Sequence, residues 1–200
     1  MSARLENKLK IVESIAALTT DKSLEEIRTV DICNHASLSR QTFYRNFDDK
    51  YDAAIWFVEE AVKASVRQIG LTLSWRTGIE MLFDFASRNR LFLQKLFAIN
   101  IFDSNGSPLI VRALIENCVR HYEEQFEKCT GNEPDALVRF QIRAFTRLKV
   151  FTINEWLQTG VPELSDDFFD AFITVIPAEL FKALDIADVT DAPCKPLLRF

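Results

Sequence analysis

The sequence predicts an all-α protein, and three observations carry that expectation. Its 200 residues include only 5 Gly and 6 Pro, too few for the many tight turns of a sheet protein. Apolar residues recur with the 3.6-residue period of an amphipathic helix, as at Leu5, Leu9, Val12, Ile15 and Ala16. Overt breakers separate the periodic stretches at Asp103 to Pro108, Thr130 to Pro134 and Gly160 to Pro162. With 48% hydrophobic and 26% charged residues, the composition excludes a disordered or collagen-like chain. The 17 Phe against 3 Tyr and 3 Trp point to a large apolar interior or cavity more than to a wet binding groove.

About nine helices are expected. The first starts near Leu5 and stops near Thr19-Thr20-Asp21. The second opens either at Ser23, which with Glu26 spells a capping box, or later at Arg28, and runs to Ala36. A short third helix opens at Ser39, and a long fourth runs from Asp49 through Gly70 with Ala54, Phe57, Val58, Ala61, Val62 and Val66 on one side. Further helices are expected over 75–87, 89–102, 107–129, 134–159 and 165–185. Pro177 lies inside the last of these, where its missing N–H should kink or split it. The predicted division is 1–47, 48–190 and an irregular tail over 191–200.

Charge places any nucleic-acid site near the N-terminus. The chain carries a net charge of −5, yet residues 1–50 hold eight Lys/Arg and eight Asp/Glu, leaving 16 against 21 for the rest. The stretch from Leu38 through Phe47 has no acid, two arginines and a tyrosine. Around it, two short helices joined at Ser37-Leu38, with Ser39 as N-cap, make the layout of a helix-turn-helix. On a wheel at about 100° per residue, Phe43 and Phe47 share one face. Gln41, Tyr44 and Arg45 lie on the other, with Thr42 at its margin. An amide and a guanidinium pair with base edges in the major groove, while hydroxyls and basic groups hold phosphates. Lys50 adds a basic group where helix N-terminal amides also favour anions.

The run Ile32-x3-Ala36-x2-Ser39-x2-Thr42-Phe43-Tyr44-x2-Phe47-x2-Lys50 resembles the DNA-binding signature of the TetR family of bacterial transcription regulators. The resemblance covers about residues 5–62; beyond that, only helix count and length agree. It implies phosphate contacts from Thr42, Tyr44 and Lys50, base reading by Arg40 and Gln41, and a reading-head core of Ile32, Ala36, Phe43 and Phe47. Ser39 and Arg45 complete the expected DNA-binding set. Ser37 stands where the family usually has Gly, and Arg28 stands where Thr or Ser commonly caps the second helix; Arg28 is read as a phosphate contact. The family's fold implies an N-terminal three-helix head, followed by a helical domain for effector binding and dimerisation.

The function expected is therefore that of a cytoplasmic, homodimeric DNA-binding regulator. It would bind double-stranded DNA at a pseudo-palindromic operator and act as a repressor released by an unknown small-molecule effector. The alternative is an all-α protein-interaction or scaffold module that does not bind DNA. An effector pocket is expected around Trp75, Phe97, Asn100, His121, Arg143 and Phe151, with Asn117 and Gln141 on the same helices; a plain Phe-rich core is the competing reading. Family resemblance assigns the dimer interface to the last two long helices, with Phe145, Leu148, Trp156, Phe168, Phe172 and Ile176. No enzyme, cofactor or metal site is expected. There is no Gly-rich phosphate loop or nucleophile motif, and Cys118, His121 and Glu124 alone do not complete a ligand set. Cys33, Cys118, Cys129 and Cys194 form no C-x-x-C pair and read as free thiols. Without an apolar leader or a run of about 18 uncharged residues, no membrane partner is expected.

Overall fold

The computed structural model describes residues 2–98, 109–160 and 162–185. Asn100, the predicted loop 103–108 and the tail 191–200 lie outside the described residues. Ten α-helices follow one another: α1 Ala3–Leu18, α2 Thr29–Ala36, α3 Arg40–Tyr44, α4 Lys50–Ala64, α5 Trp75–Arg88, α6 Arg90–Phe97, α7 Leu109–Thr130, α8 Ala136–Thr159, α9 Asp166–Thr174 and α10 Ala178–Leu184. No strand occurs among the described residues. The tenth helix arises at Pro177, which divides the expected last helix and sits as the N-cap of α10. Side-chain caps open other helices: Asp135 accepts from the Val138 N–H at 2.9 Å and Ser165 from the Phe168 N–H at 3.3 Å.

Two expected boundaries move, each for a visible reason. The capping box at Ser23 and Glu26 does form, with the Ser23 N–H donating to Glu26 Oε2 at 2.9 Å, but it closes only a turn. Lys50 Nζ donates to the carbonyls of Glu25 and Ile27 at 2.7 and 2.8 Å. Those oxygens are thus held from outside, and α2 begins only at Thr29. The fourth helix ends at Ala64 rather than Gly70. Ser65 leaves helical geometry at φ −111° and ψ −87°, and Gln68 Nε2 takes the Lys63 carbonyl at 3.0 Å. The chain then makes a 3₁₀ turn over Val66–Gln68 and packs Ile69 against Gly78, where a Cβ would stand 2.4 Å from Ile69 Cγ1.

The described residues form two compact units, one from 2–60, 89–98 and 109–110, the other from 61–88, 111–160 and 162–185. The first continues past the boundary expected at residue 47, taking in α4 as far as Glu60 and α6. Its interior holds Ile11, Val12, Ile15, Leu24, Ile27, Ile32, Phe43 and Phe47. Lys95 of α6 donates to the carbonyls of Thr19 and Lys22, closing the end of α1. In the second unit Phe83 meets Trp156, Phe168, Phe169 and Phe172 edge-on, with centroids 5.2–6.0 Å apart. Arg76 of α5 pairs with Glu80, Asp166 and Asp170 and covers the Phe169 ring, tying α5 to α9.

The turn between α2 and α3 is built on Ser37, at φ 54° and ψ 41°. The Leu38 N–H reaches the Cys33 carbonyl at 2.9 Å and the Ser37 N–H reaches Asn34 at 3.3 Å, the bonding of a Schellman stop. Ser37 is the non-glycine residue at positive φ among the described residues, a conformation that costs a Cβ-bearing residue about 1 kcal/mol or more. Ser37→Gly should therefore raise the unfolding free energy by about 0.5 to 1 kcal/mol, part of the relief being offset by glycine's larger unfolded-state entropy. Urea unfolding of the two proteins checks this; a destabilised glycine variant would show that the serine side chain does something the turn geometry does not reveal.

Candidate nucleic-acid interface

α3 is only five residues long, so its own backbone bonds cannot hold it. Three side chains fix it instead. Ser39 Oγ accepts the Thr42 N–H at 3.0 Å and lies 2.9 Å from the Thr42 hydroxyl. Asn46 Nδ2 donates to the Thr42 carbonyl at 2.7 Å. Phe43 is wholly buried, with its ring 5.4 Å from Tyr44 and 6.4 Å from Phe47. Burying Phe43 turns Arg40, Gln41, Tyr44 and Arg45 to the surface, where Tyr44 is 53% exposed. These four are brought together as the sequence pattern predicts. Asn46, which closes the helix, is missed by the sequence reading, since an Asn after a helix does not announce its acceptor.

The remaining expected DNA residues are partly occupied within the chain. Thr42 is half-buried and its hydroxyl sits against Ser39, and Ser39 is engaged as the cap. Arg28 is exposed, but its guanidinium is held by Asp31 at 3.0 and 3.1 Å. That pairing lowers the carboxyl pKa of Asp31. The same carboxylate accepts the Arg28 N–H at 3.2 Å, so it caps α2 where the Arg28 side chain cannot. Lys50 spends two of its three donors on the Glu25 and Ile27 carbonyls, and burial pushes its pKa down.

The chain matches no protein-family model. It is 24% identical over 90 residues to the HTH-type dhaKLM operon transcriptional activator DhaS of Lactococcus lactis subsp. lactis (strain IL1403). That match covers 45% of this chain and 48% of the relative, so the chain spans about half the length of the protein it matches. A solved structure of a dihydroxyacetone kinase operon activator DhaS superposes with a TM-score of 0.60 at 19% identity, over 90% of this chain and 98% of that one. The all-helical fold is thus shared with that protein along most of the chain. Both similar proteins are transcription regulators and neither is an enzyme. Among the described residues no helix is long and apolar enough to cross a membrane, and no group of three His, Cys, Asp or Glu could hold a metal ion.

The expected effector residues do not converge. Trp75 and His121 are buried in the second unit, where both rings lie against Tyr122, at 5.9 and 6.0 Å. Arg143 is exposed and pairs with Glu116 at 3.4 Å, and Phe151 is 59% exposed. Both therefore lie on the outer side of α8. Phe97 belongs to the first unit. A cavity of about 560 Å³ instead opens between α7, α8 and α10, lined by Phe126, Leu137, Val138, Gln141 and Ala178 and rimmed by Glu133, Asp135 and Glu179; none of the expected residues that are described borders it.

The expected dimer residues also need correction. Phe145, Trp156, Phe172 and Ile176 are buried inside their own protomer, and Phe168 packs on Phe83; Phe145, Trp156, Phe168 and Phe172 lie on the sides of α8 and α9 that meet α5. Leu148 alone of the six is open, at 45% exposed. Lys149, next to it in sequence, is the residue the sequence reading passes over. It sits with Ile142, Phe145, Ile153 and Trp156 on the buried face of α8 and is only 1% exposed. Its signal was a lysine at helical spacing within an otherwise apolar stripe.

His121 carries a pH consequence. Burial, then the positive charges of Arg67, Lys149 and Lys128, lower its pKa from 6.5 to about 4. The unfolded chain therefore takes up a proton below about pH 6.5 that the folded chain refuses until about pH 4. Stability from this group is complete above pH 6.5 and is lost as pH falls to 4, by about 2 to 3 kcal/mol. His121→Gln removes the titration. Denaturant unfolding at pH 7 and pH 4 should show the wild type losing more stability than the variant by that amount; parallel losses would refute the burial of a neutral imidazole.

Proposed function

We propose that the protein is a DNA-binding transcription regulator of TetR type, working as a homodimer under the control of a small-molecule effector. The observation that carries this reading is α3 itself. It is a capped, packed helix after a tight turn, with Arg40, Gln41, Tyr44 and Arg45 all exposed on an acid-free stretch of chain. A scaffold helix has no need of a guanidinium, an amide and a phenol held outward together, whereas a major-groove reader does. The similarity to an operon activator supports the same reading. It also favours activation over the repression that the sequence led us to expect. Arg40 and Gln41 are assigned to base edges, Tyr44 and Arg45 to phosphates, and Ser39 and Thr42 to holding the helix at the backbone. Arg28 and Lys50 take supporting places: Arg28 reaches a phosphate only as the Asp31 pair, and Lys50 keeps one N–H free while bracing the loop before α2.

A dimer face is supported by the exposed side of α8. Leu137, Phe140, Ala144, Leu148 and Phe151 recur at spacings of 3, 4, 4 and 3 and fall within about 80° of one another on the helix. Leu137, Phe140 and Phe151 are 65%, 68% and 59% exposed, an apolar stripe of the kind that marks an association surface. A two-fold pairing through it would set two reading heads for a pseudo-palindromic site.

Two outcomes test these assignments. For DNA selected from random sequence by the wild type, Gln41→Ala should lose about 1 to 3 kcal/mol of discrimination at one base pair, while Tyr44→Phe weakens operator and random DNA alike. Fluorescence anisotropy at several salt concentrations reads both, and a wild type with no salt-sensitive affinity for any DNA removes the regulator reading. For the dimer, sedimentation at micromolar concentration should give twice 23.0 kDa. The pair Phe140→Asp and Phe151→Asp should reduce this to a folded 23.0 kDa species; a double variant that stays dimeric places the interface elsewhere.

A further inference from the structure

Lys149 is charged chemistry in a place with no counter-charge. Its ammonium lies between α7 and α8, donating to Tyr122 Oη at 3.0 Å and set over the Tyr122 ring at 4.6 Å and the Phe145 ring at 6.0 Å. Among the described residues no carboxylate lies within ion-pair distance of it; Glu116 and Glu123, the acids that α7 offers to α8, are paired with Arg143 and Arg139. Tyr122 is no substitute anion, because burial pushes its phenol pKa up and it stays protonated at neutral pH. A buried cation without an anion is among the costliest groups a fold can carry.

Other polar groups on the buried faces of α7 and α8 are incomplete in a complementary way. His121 Nε2, Gln125 Oε1 and Thr146 Oγ1 are buried and have no hydrogen-bond partner among the described residues. His121 and Gln125 are one turn apart on α7, and Thr146 lies three residues before Lys149 on the same buried face of α8. Neutral His121 offers an acceptor or a donor according to tautomer, and Gln125 Oε1 and Thr146 Oγ1 can accept. Ordered water could satisfy such atoms, but water cannot neutralise the ammonium.

We infer that Lys149 anchors a small hydroxylated carboxylate between α7 and α8, the carboxylate pairing with its ammonium and the hydroxyl meeting His121, Gln125 and Thr146. The ammonium calls for an anion, and a carboxylate that also carries a hydroxyl matches both it and the unpartnered polar atoms. Trp75, stacked on Tyr122 at 5.9 Å, walls the site on the α5 side. This ligand class deepens the effector control proposed above and rests on that reading for its biological meaning, though not for its binding.

The test is thermal unfolding of the full chain with sodium lactate, sodium glycerate and sodium 4-hydroxybenzoate, against glycerol, phenol and sodium chloride at equal ionic strength. At least one hydroxy acid should raise Tm by about 5 °C when present at roughly a hundred times its Kd, while glycerol, phenol and chloride do not. Lys149→Met, which keeps the volume and removes the charge, should unfold at or above the wild-type Tm and ignore every acid. Three results overturn the inference: no acid shifts the wild type, a neutral probe shifts it as much, or Lys149→Met responds like the wild type. The wild-type panel decides the matter even if the variant fails to fold. DNA affinity is measured separately, so a protein that binds DNA and ignores all the acids keeps the regulator reading and loses this one.

Discussion

The outward face of α3 exists because Phe43 is buried. A five-residue helix has too few internal bonds to persist alone, so the direction of Arg40, Gln41, Tyr44 and Arg45 is set by the packing of Phe43 against the first unit and by the Ser39 cap. The turn before it depends on Ser37 accepting a left-handed conformation, and the loop before α2 depends on Lys50. Together these devices replace the length that α3 lacks. The polar face is rigid without being large, which is what reading a groove demands.

The second unit inverts that arrangement. Its aromatic interior is built around Phe83, met edge-on, and Trp75, stacked on Tyr122 and edge-on to Phe145; such rings fill space well while leaving few polar atoms. Into this interior the chain puts Lys149, His121, Gln125 and Thr146. Apolar residues of similar volume would be more stable at those positions. A polar group kept at such cost points to use, and the use argued above is to recognise something that the folded chain does not itself contain.

Much of the first unit was legible because its signals are local. The 3.6-residue period, the Ser39 cap and the Phe43–Phe47 pair each concern residues within one or two turns, and the structure holds them as read. The errors came where distant groups intervene. The Ser23 box looked like a helix start, and Lys50, more than twenty residues on, keeps it a turn. Phe145 and Phe151 lie six residues apart and looked alike in sequence; one faces α5 and the other solvent. Helical phase separates them, but which phase is inward is fixed by tertiary packing. Pro177 was legible as a break because its effect needs no partner, whereas Lys149 was not, since a lysine in sequence is presumed to reach water.

For an acidic chain to read DNA in the way proposed, its own carboxylates must be kept from opposing the phosphates. In the first unit Asp31, Asp49 and Asp52 are committed to nearby donors. Asp31 holds the Arg28 guanidinium and backbone N–H. Asp49 Oδ1 accepts the N–H groups of Tyr51 and Asp52 at 2.7 and 2.8 Å, and Asp52 accepts the Asp48 N–H at 3.1 Å. Helix N-termini carry partial positive charge that these carboxylates offset. The same contacts that start α2 and α4 therefore hold negative charge at the helix ends, while the segment from Leu38 through Phe47 itself carries two arginines and no acid. Helix capping and the placement of negative charge are, in this unit, carried by the same side chains.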